Sequence, residues 1–262
     1  MTSGFAQHSR GIDLNCDMGE RPGAEGVAGD IRLMEYVSSV NIACGGHAGG
    51  ATTIRAVAGA ARARGLSVGA HPGYPDPGNF GRARVEMLPG DLRASLVFQM
   101  RLLKEHAGGR VTHVKPHGAL YHDVMADDGI AAVFVEAASA VWFEGRLPVL
   151  VALAGSRRAS QWRAEGLAVA AEAFAERRYR SDGSLTARGE QGAVIDDAEV
   201  AAQQTVDIAV HRCVATGGGL APVMAETICI HSDSPGAEAI AARVRAALTS
   251  EGVPVRGIAA LP

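Results

Sequence analysis

The sequence predicts an α/β chain whose parallel strands close into an irregular, seven-stranded (β/α) barrel. Three observations predict it. A short apolar strand followed by a helical stretch recurs about seven times along the 262 residues, the pattern that gives parallel strands joined by helices. Polar side chains stand at or just past the C-terminal end of six of these strands, and they converge only if the sheet closes. No GxGxxG follows the first strand, which weakens an open dinucleotide-binding sheet. Barrel enzymes keep their active sites at the face where the strands end.

Residues 1–10 read as a loose N-terminal tail. Residues 11–15 form the first strand, which ends in Cys16, Asp17, Met18, Gly19 and Glu20. Asp30 is placed to N-cap a helix running through Met34 and Tyr36. Residues 37–43 are the second strand and empty into a glycine-rich turn around His47. Ile54, Val57, Ala58 and Ala61 follow helical spacing, and Gly65 ends that helix. The third strand, 66–70, runs into His71 and a long Pro- and Gly-rich loop over 72–90 that holds Arg82; a loop of that length is usually functional.

Leu92, Leu96, Met100 and Leu103 mark the next helix. The fourth strand, 111–115, ends at Lys115, Pro116 and His117, followed by helix over 124–142. Strands over 148–152 and 167–171 follow, the second ending at Glu172 and leading to Arg177, Arg178 and Tyr179. Residues 197–215 read as helix, broken by Gly217, Gly218 and Gly219. The last strand, 227–230, ends at His231 and Asp233, and Ser234 with Pro235 reads as the cap and first turn of a final helix. No repeat, low-complexity tract or linker divides the chain, so residues 1–262 read as one domain.

Composition narrows the function. The chain is 47% apolar and 20% charged, with a formal net charge of −3 and no basic block, which argues against a nucleic-acid partner. No apolar run reaches membrane-spanning length. The cysteines Cys16, Cys44, Cys213 and Cys229 lack zinc-like or CxxC spacing. Reduced thiols in a cytoplasm are the simplest account.

Lysine is scarce here, with only Lys104 and Lys115 against many arginines. A compact ammonium at a strand end suits a point contact to a carbonyl or phosphate oxygen, although a lone strand-end lysine is more often merely solvated. Asp13, Asn15 and Asp17 alternate, which puts them on one side of an extended segment. They suit general-base work or a divalent cation, or, for Asp13 equally, a turn cap. His47 sits where glycines let backbone N–H groups approach an anion, or in a flexible exposed turn. His71 is either catalytic or a buried, backbone-bonded histidine. No GxxxxGK[ST] phosphate loop occurs.

These stretches together resemble the LamB/YcsF family, the A subunits of 5-oxoprolinase, from about Ile12 to Gly252. The motifs that carry the resemblance are residues 13–20, 37–45, 47–49, 69–75, 80–82, 114–121, 172–179 and 227–235. The resemblance implies a barrel related to the glycoside hydrolase/deacetylase superfamily. It also implies ATP-dependent opening of the lactam 5-oxoproline to L-glutamate, with Mg²⁺ accompanying ATP and with subunits B and C as partners. Matching positions are Asp13, Asn15, Asp17, His47, His71, Lys115, His117, Arg177, Tyr179, His231 and Asp233. The family usually has Phe where this chain has Gly46 and Asp where it has Gly50; both departures lie beside His47 and are expected to loosen or reshape the pocket.

We assign catalysis to Asp17, Lys115, His117, His47 and His71. Substrate contacts fall to Asp13, Asn15, Asn41, Arg82, Arg177, Arg178, Tyr179, His231 and Asp233. Lys115 would neutralise a developing oxyanion or phosphoryl oxygen, Asp17 or His117 would activate water, and Arg178 or Arg82 would hold the substrate carboxylate. Two rivals remain. One is a metal-dependent, deacetylase-like hydrolase with Asp17, His47 and His117 as ligands, which no HxH or HxxxH spacing supports. The other is a non-catalytic subunit that only binds substrate.

Overall fold

In a computed structural model, which describes residues 11–142, 145–234 and 236–258, seven parallel strands close into a barrel. They are β1 (Asp13–Met18), β2 (Ser39–Ala43), β3 (Ser67–His71), β4 (His113–Val114), β5 (Val149–Leu153), β6 (Val169–Phe174) and β9 (Thr227–His231). Each pairs with its neighbour in chain order, and β9 lies between β6 and β1 to complete the ring. Helices α1 (Gly23–Leu33), α2 (Ala51–Ala63), α3 (Pro89–His106), α4 (Gly118–Ala126), α5 (Asp128–Val141), α6 (Arg157–Ala164), α7 (Ala198–Val206) and α8 (Ala237–Ser250) lie between or after the strands. No helix among the described residues is long and apolar enough to cross a membrane.

Period-two alternation builds two different interiors. Leu14, Cys16 and Met18 of β1 join the apolar layer beneath the helices. Asp13, Asn15 and Asp17 point the other way, into the barrel, where they stack in layers. At the bottom, Asp13 accepts hydrogen bonds from Ser38, Ser39 and Thr227. Above it, Asn41 donates to Asn15 at 2.7 Å, and Asn15 donates across the barrel to Glu172 at 3.2 Å. The His113 ring reaches Asn41 Oδ1 at 2.7 Å. That crossing needs Gly69 on β3, because a Cβ there would lie 2.2 Å from His113 Nε2.

Several sequence expectations change. Asp30 does not cap a helix. It lies in the last turn of α1, and its carboxylate turns back to accept from Gly19 N–H and Arg21. The stretch over 124–142 is two helices, because Asp127 ends α4 and caps α5 through the N–H groups of Gly129 and Ile130. The helix expected over 197–215 is shorter. After α7 a π-helical turn spans Asp207–His211, Arg212 adopts a left-handed φ of 56°, and a hairpin follows. Its strands, β7 (Cys213–Thr216) and β8 (Gly219–Pro222), bury Val214 and Ala221. The triple glycine therefore turns a hairpin instead of breaking a helix. The final helix begins at Ala237 behind Gly236, with no side-chain cap. Pro235 and the tail over 1–10 lie outside the described residues.

Burial first, then the Lys115 charge, pushes the His113 imidazole down to about 3. Unfolded histidine titrates near 6.5. The unfolded chain therefore takes up this proton as pH falls below about 6.5 while the native chain refuses it, and stability drops progressively toward about pH 3. Asp13, raised by burial to about 6, gives the opposite slope between about pH 4 and 6. The informative measurement is thus the difference between parent and His113→Gln. Chemical unfolding from pH 7 to 4 should show an acid-induced loss, on the order of a few kcal/mol, in the parent that the variant lacks. Equal pH slopes would contradict the account of a neutral, buried His113.

Candidate active site

The top layer of the barrel interior opens into a cavity of about 440 Å³ at the C-terminal ends of the strands. At its floor Lys115 Nζ lies 3.0 Å from Asp17 Oδ1, 2.8 Å from Glu172 Oε1 and 3.0 Å from Cys229 Sγ. Pro116 follows, and the Lys115 N–H still bonds to Ala70 O, so the strand direction holds to the last residue that matters. Burial opposes the Lys115 charge, but the Asp17 and Glu172 carboxylates overcome it and hold the ammonium above the usual lysine range. Burial likewise works against the Asp17 anion, and His71 and Lys115 outweigh it and hold the carboxyl well below its usual range.

Beside this pair lies a knot of imidazoles around Glu20. Gly19 has φ +75° and turns the chain so that Glu20 returns toward the barrel mouth. Glu20 Oε1 lies 3.0 Å from His47 Nε2, 3.1 Å from His117 Nδ1 and 3.7 Å from His71 Nε2. Burial raises its pKa, but the neighbouring His117 and His47 imidazoles bring it well below the usual carboxylate range. Two backbone carbonyls fix tautomers. His71 Nδ1 donates to Lys115 O at 2.9 Å, and His117 Nε2 donates to Phe80 O at 2.8 Å. Their other nitrogens, His71 Nε2 and His117 Nδ1, face each other at 3.0 Å. His71 Nε2 also stands 3.3 Å from Asp17 Oδ2. Burial opposes the His71 cation, and Asp17 overcomes it and raises the pKa.

The rim is cationic. Arg177 is 3% exposed. It donates to Thr186 O at 2.6 Å, leaves its Nε unpartnered and has no ion pair among the described residues. Burial and the neighbouring Arg188 both disfavour its charge. Arg82 pairs with Asp233 across the mouth, and His231 is held by Glu176 through both its ring and its N–H. Asp17, His71, Lys115, His117, Arg82, Arg177, His231 and Asp233 therefore converge on one cavity.

Other predicted residues do not reach it. Asp13, Asn15 and Asn41 sit deeper, consumed by hydrogen bonds within the barrel. His47 is one layer behind, its ring stacked on His117 at 3.6 Å. Extended alternation buries Arg177 and Tyr179 and turns Arg178 outward, so Arg178 cannot hold a ligand in the cavity. The Tyr179 hydroxyl accepts from the Phe174 N–H at 2.8 Å and braces the end of β6. Gly46 leaves no void where the family carries Phe. Gln99 fills the place, since a Cβ at Gly46 would lie 2.3 Å from Gln99 Oε1. Gln99 also grips Gly73 through both its N–H and its C=O. Gly50 stands at the N-terminus of α2, outside the cavity lining.

Sequence reasoning gave no role to Glu20, Glu176, Cys229 or Arg188. Glu20 was visible in the motif over 13–20, but alternation cannot be followed through a left-handed glycine.

The sequence pattern of the LamB/YcsF family matches residues 12–261. The 5-oxoprolinase A subunit of Streptomyces griseus is 43% identical over 253 residues, covering 95% of this chain and all of that one. The protein of the same name from Heliobacterium modesticaldum is 43% identical over 249 residues, 94% of this chain and 97% of its own. Among solved structures, the lactam utilization protein from Thermus thermophilus superposes with a TM-score of 0.86 at 38% identity, over 95% of this chain and all of that one.

Replacing Lys115 by Met strands two buried carboxylates, Asp17 and Glu172. Removing one partner of a buried ion pair costs roughly 3–5 kcal/mol. Urea unfolding should show a loss of that size, and Lys115→Met with Glu172→Gln should recover part of it. A single variant as stable as the parent would show that these contacts carry no net energy.

Proposed function

Since the chain belongs to the LamB/YcsF family over residues 12–261, we propose that it is the A subunit of a multi-subunit 5-oxoprolinase. Its reaction is the ATP-dependent hydrolysis of 5-oxoproline to L-glutamate, carried out with subunits B and C in the cytoplasm. One observation supports this substrate most directly. A buried guanidinium without a carboxylate, Arg177, overlooks a floor of ionised carboxylates, imidazoles and an ammonium. A small lactam that carries its own carboxylate complements both ends: the carboxylate meets Arg177, with Arg188 and Arg82 at the rim, and the lactam carbonyl faces the floor.

A lactam is a resonance-stabilised amide, and ATP activates it by passing its γ-phosphoryl group to the carbonyl oxygen. Water then adds to the same carbon, and the ring C–N bond breaks as the nitrogen takes a proton, leaving an acyl phosphate and ADP. A second water hydrolyses the acyl phosphate to the carboxylate and inorganic phosphate. Mg²⁺ enters with the nucleotide. Asp17, ionised and 3.3 Å from His71 Nε2, receives the proton of the attacking water with His71 behind it. Lys115 has its donors committed to Asp17, Glu172 and Cys229, so it acts as the counter-ion that aims Asp17, a change from the direct oxyanion contact expected from sequence. The chain has no phosphate-binding loop, which fits a division of ATP handling among subunits.

The isolated chain should release negligible glutamate from 5-oxoproline, and a mixture with subunits B and C and Mg-ATP should release it with matching ATP consumption. In that mixture Arg177→Gln should raise KM by roughly 10–100-fold, the weight of a charged hydrogen bond, with less effect on kcat. Glutamate release by the isolated chain without ATP would refute the partner and nucleotide requirements. An unchanged KM would remove Arg177 from substrate binding.

A further inference from the structure

We propose that Glu20, His71 and His117 form a binding site for one divalent transition-metal ion of the zinc, manganese or cobalt class. The site stands independently of the identity of the substrate. Among the described residues, Glu20, His47, His71 and His117 offer ligand atoms that all lie within 4.8 Å of one another. The backbone decides which of those atoms are free to bind. Lys115 O takes the Nδ1 proton of His71, and Phe80 O takes the Nε2 proton of His117. In the neutral rings, His71 Nε2 and His117 Nδ1 are then both lone pairs. They face each other at 3.0 Å, and Glu20 Oε1 faces the same point. Two lone pairs and a carboxylate converging in a buried place are met either by a shared proton or by a metal ion at their centre. Carbonyls that orient imidazoles in this way are the usual outer partners of metal-binding histidines.

The spacing fits an ion. The three ligand atoms form a triangle with sides of 3.0, 3.1 and 3.7 Å. Its circumradius is about 1.9 Å, so a point about 2.0–2.1 Å from all three lies just outside its plane, at the bond length of zinc to imidazole or carboxylate. Two histidines and a carboxylate leave a coordination position for water, as in catalytic zinc sites. The absence of thiolate from the set also suits manganese and cobalt. His47 is a supporting residue and not a ligand. Its ring is parallel to that of His117, at 3.6 Å and 7°, so the two in-plane lone pairs run side by side, and His47 Nε2 instead holds Glu20 Oε1. Glu20, His71 and His117 all line the cavity, as does Asp17. Asp17 stands where it can take a proton from a water in the open position. Binding displaces whatever proton the imidazole pair shares, so protons are released as the ion enters.

The test uses tag-free, full-length chain without ATP or 5-oxoproline. After chelation and gel filtration, titration with Zn²⁺, Mn²⁺ and Co²⁺ by calorimetry should give saturable binding of about one ion per chain for at least one of them. Proton release should appear when buffers of different ionisation enthalpy are compared. Glu20→Gln, His71→Gln and His117→Gln should each weaken binding by more than the roughly 10–100-fold that loss of an outer partner costs, and His47→Gln should stay within that range. Circular dichroism checks that each variant folds. Absence of 1:1 binding of all three ions by folded parent protein overturns the site whatever the variants do. So does binding that survives all three ligand substitutions. A metal-free chain that supports full glutamate release in the reconstituted enzyme overturns the catalytic place of the ion but not the 5-oxoprolinase reading. A metal-loaded chain that leaves 5-oxoproline intact in the reconstituted enzyme with Mg-ATP does the reverse.

Discussion

The ammonium of Lys115 bridges Asp17 on β1 and Glu172 on β6, strands that share no ladder. It ties two walls of the barrel together through its centre. A buried ion pair is poor evidence for stability, because desolvation consumes much of what the charges return. Its value here is register. Slipping β1 by one residue would send Asp17 among the apolar side chains under the helices and leave the ammonium with Glu172 as its one carboxylate partner. The layers below depend on the same alternation, so the polar interior accepts one alignment of the strands.

That arrangement separates charge along the barrel axis. Carboxylates and imidazoles crowd the floor, and Arg82, Arg177 and Arg188 stand at the rim. Three carboxylates are held ionised by named neighbours: Asp17 by His71 and Lys115, Glu20 by His117 and His47, and Glu176 by His231, in every case against the cost of burial. Asp17, Glu20 and Lys115 thus have internal ionic partners, and Arg177 has none among the described residues. A ligand meets its unmet electrostatic demand at the rim and its chemistry below.

Much of this was legible in the sequence because strand ends are punctuated. Asp17, His71, Lys115, His117 and His231 each follow a short apolar run, and a closed sheet leaves them one place to meet. The depth of Asp13, Asn15 and Asn41 was not legible, since alternation gives the face of a residue but not its layer. The outward turn of Arg178 follows from an extended segment after β6 that looked like loop. The β7–β8 hairpin was hidden because Cys213, the first residue of β7, continues the helical spacing of Ala202, Val206 and Ala209 across the left-handed Arg212. Glu20 and His47 reach the other imidazoles through turns at the positive-φ glycines Gly19, Gly45 and Gly49, which periodicity cannot trace.

The glutamine that grips Gly73 has an evolutionary consequence. Position 46 holds glycine in this chain, and Gln99 from α3 occupies the volume that a phenylalanine would need. The two positions cannot vary independently. A sequence with an aromatic at 46 has to shorten or redirect the residue at 99, and in doing so it frees both backbone groups of Gly73, beside His47 and His117. A change at 46 alone clashes with Gln99, and a shorter residue at 99 alone leaves a hollow beside Gly46.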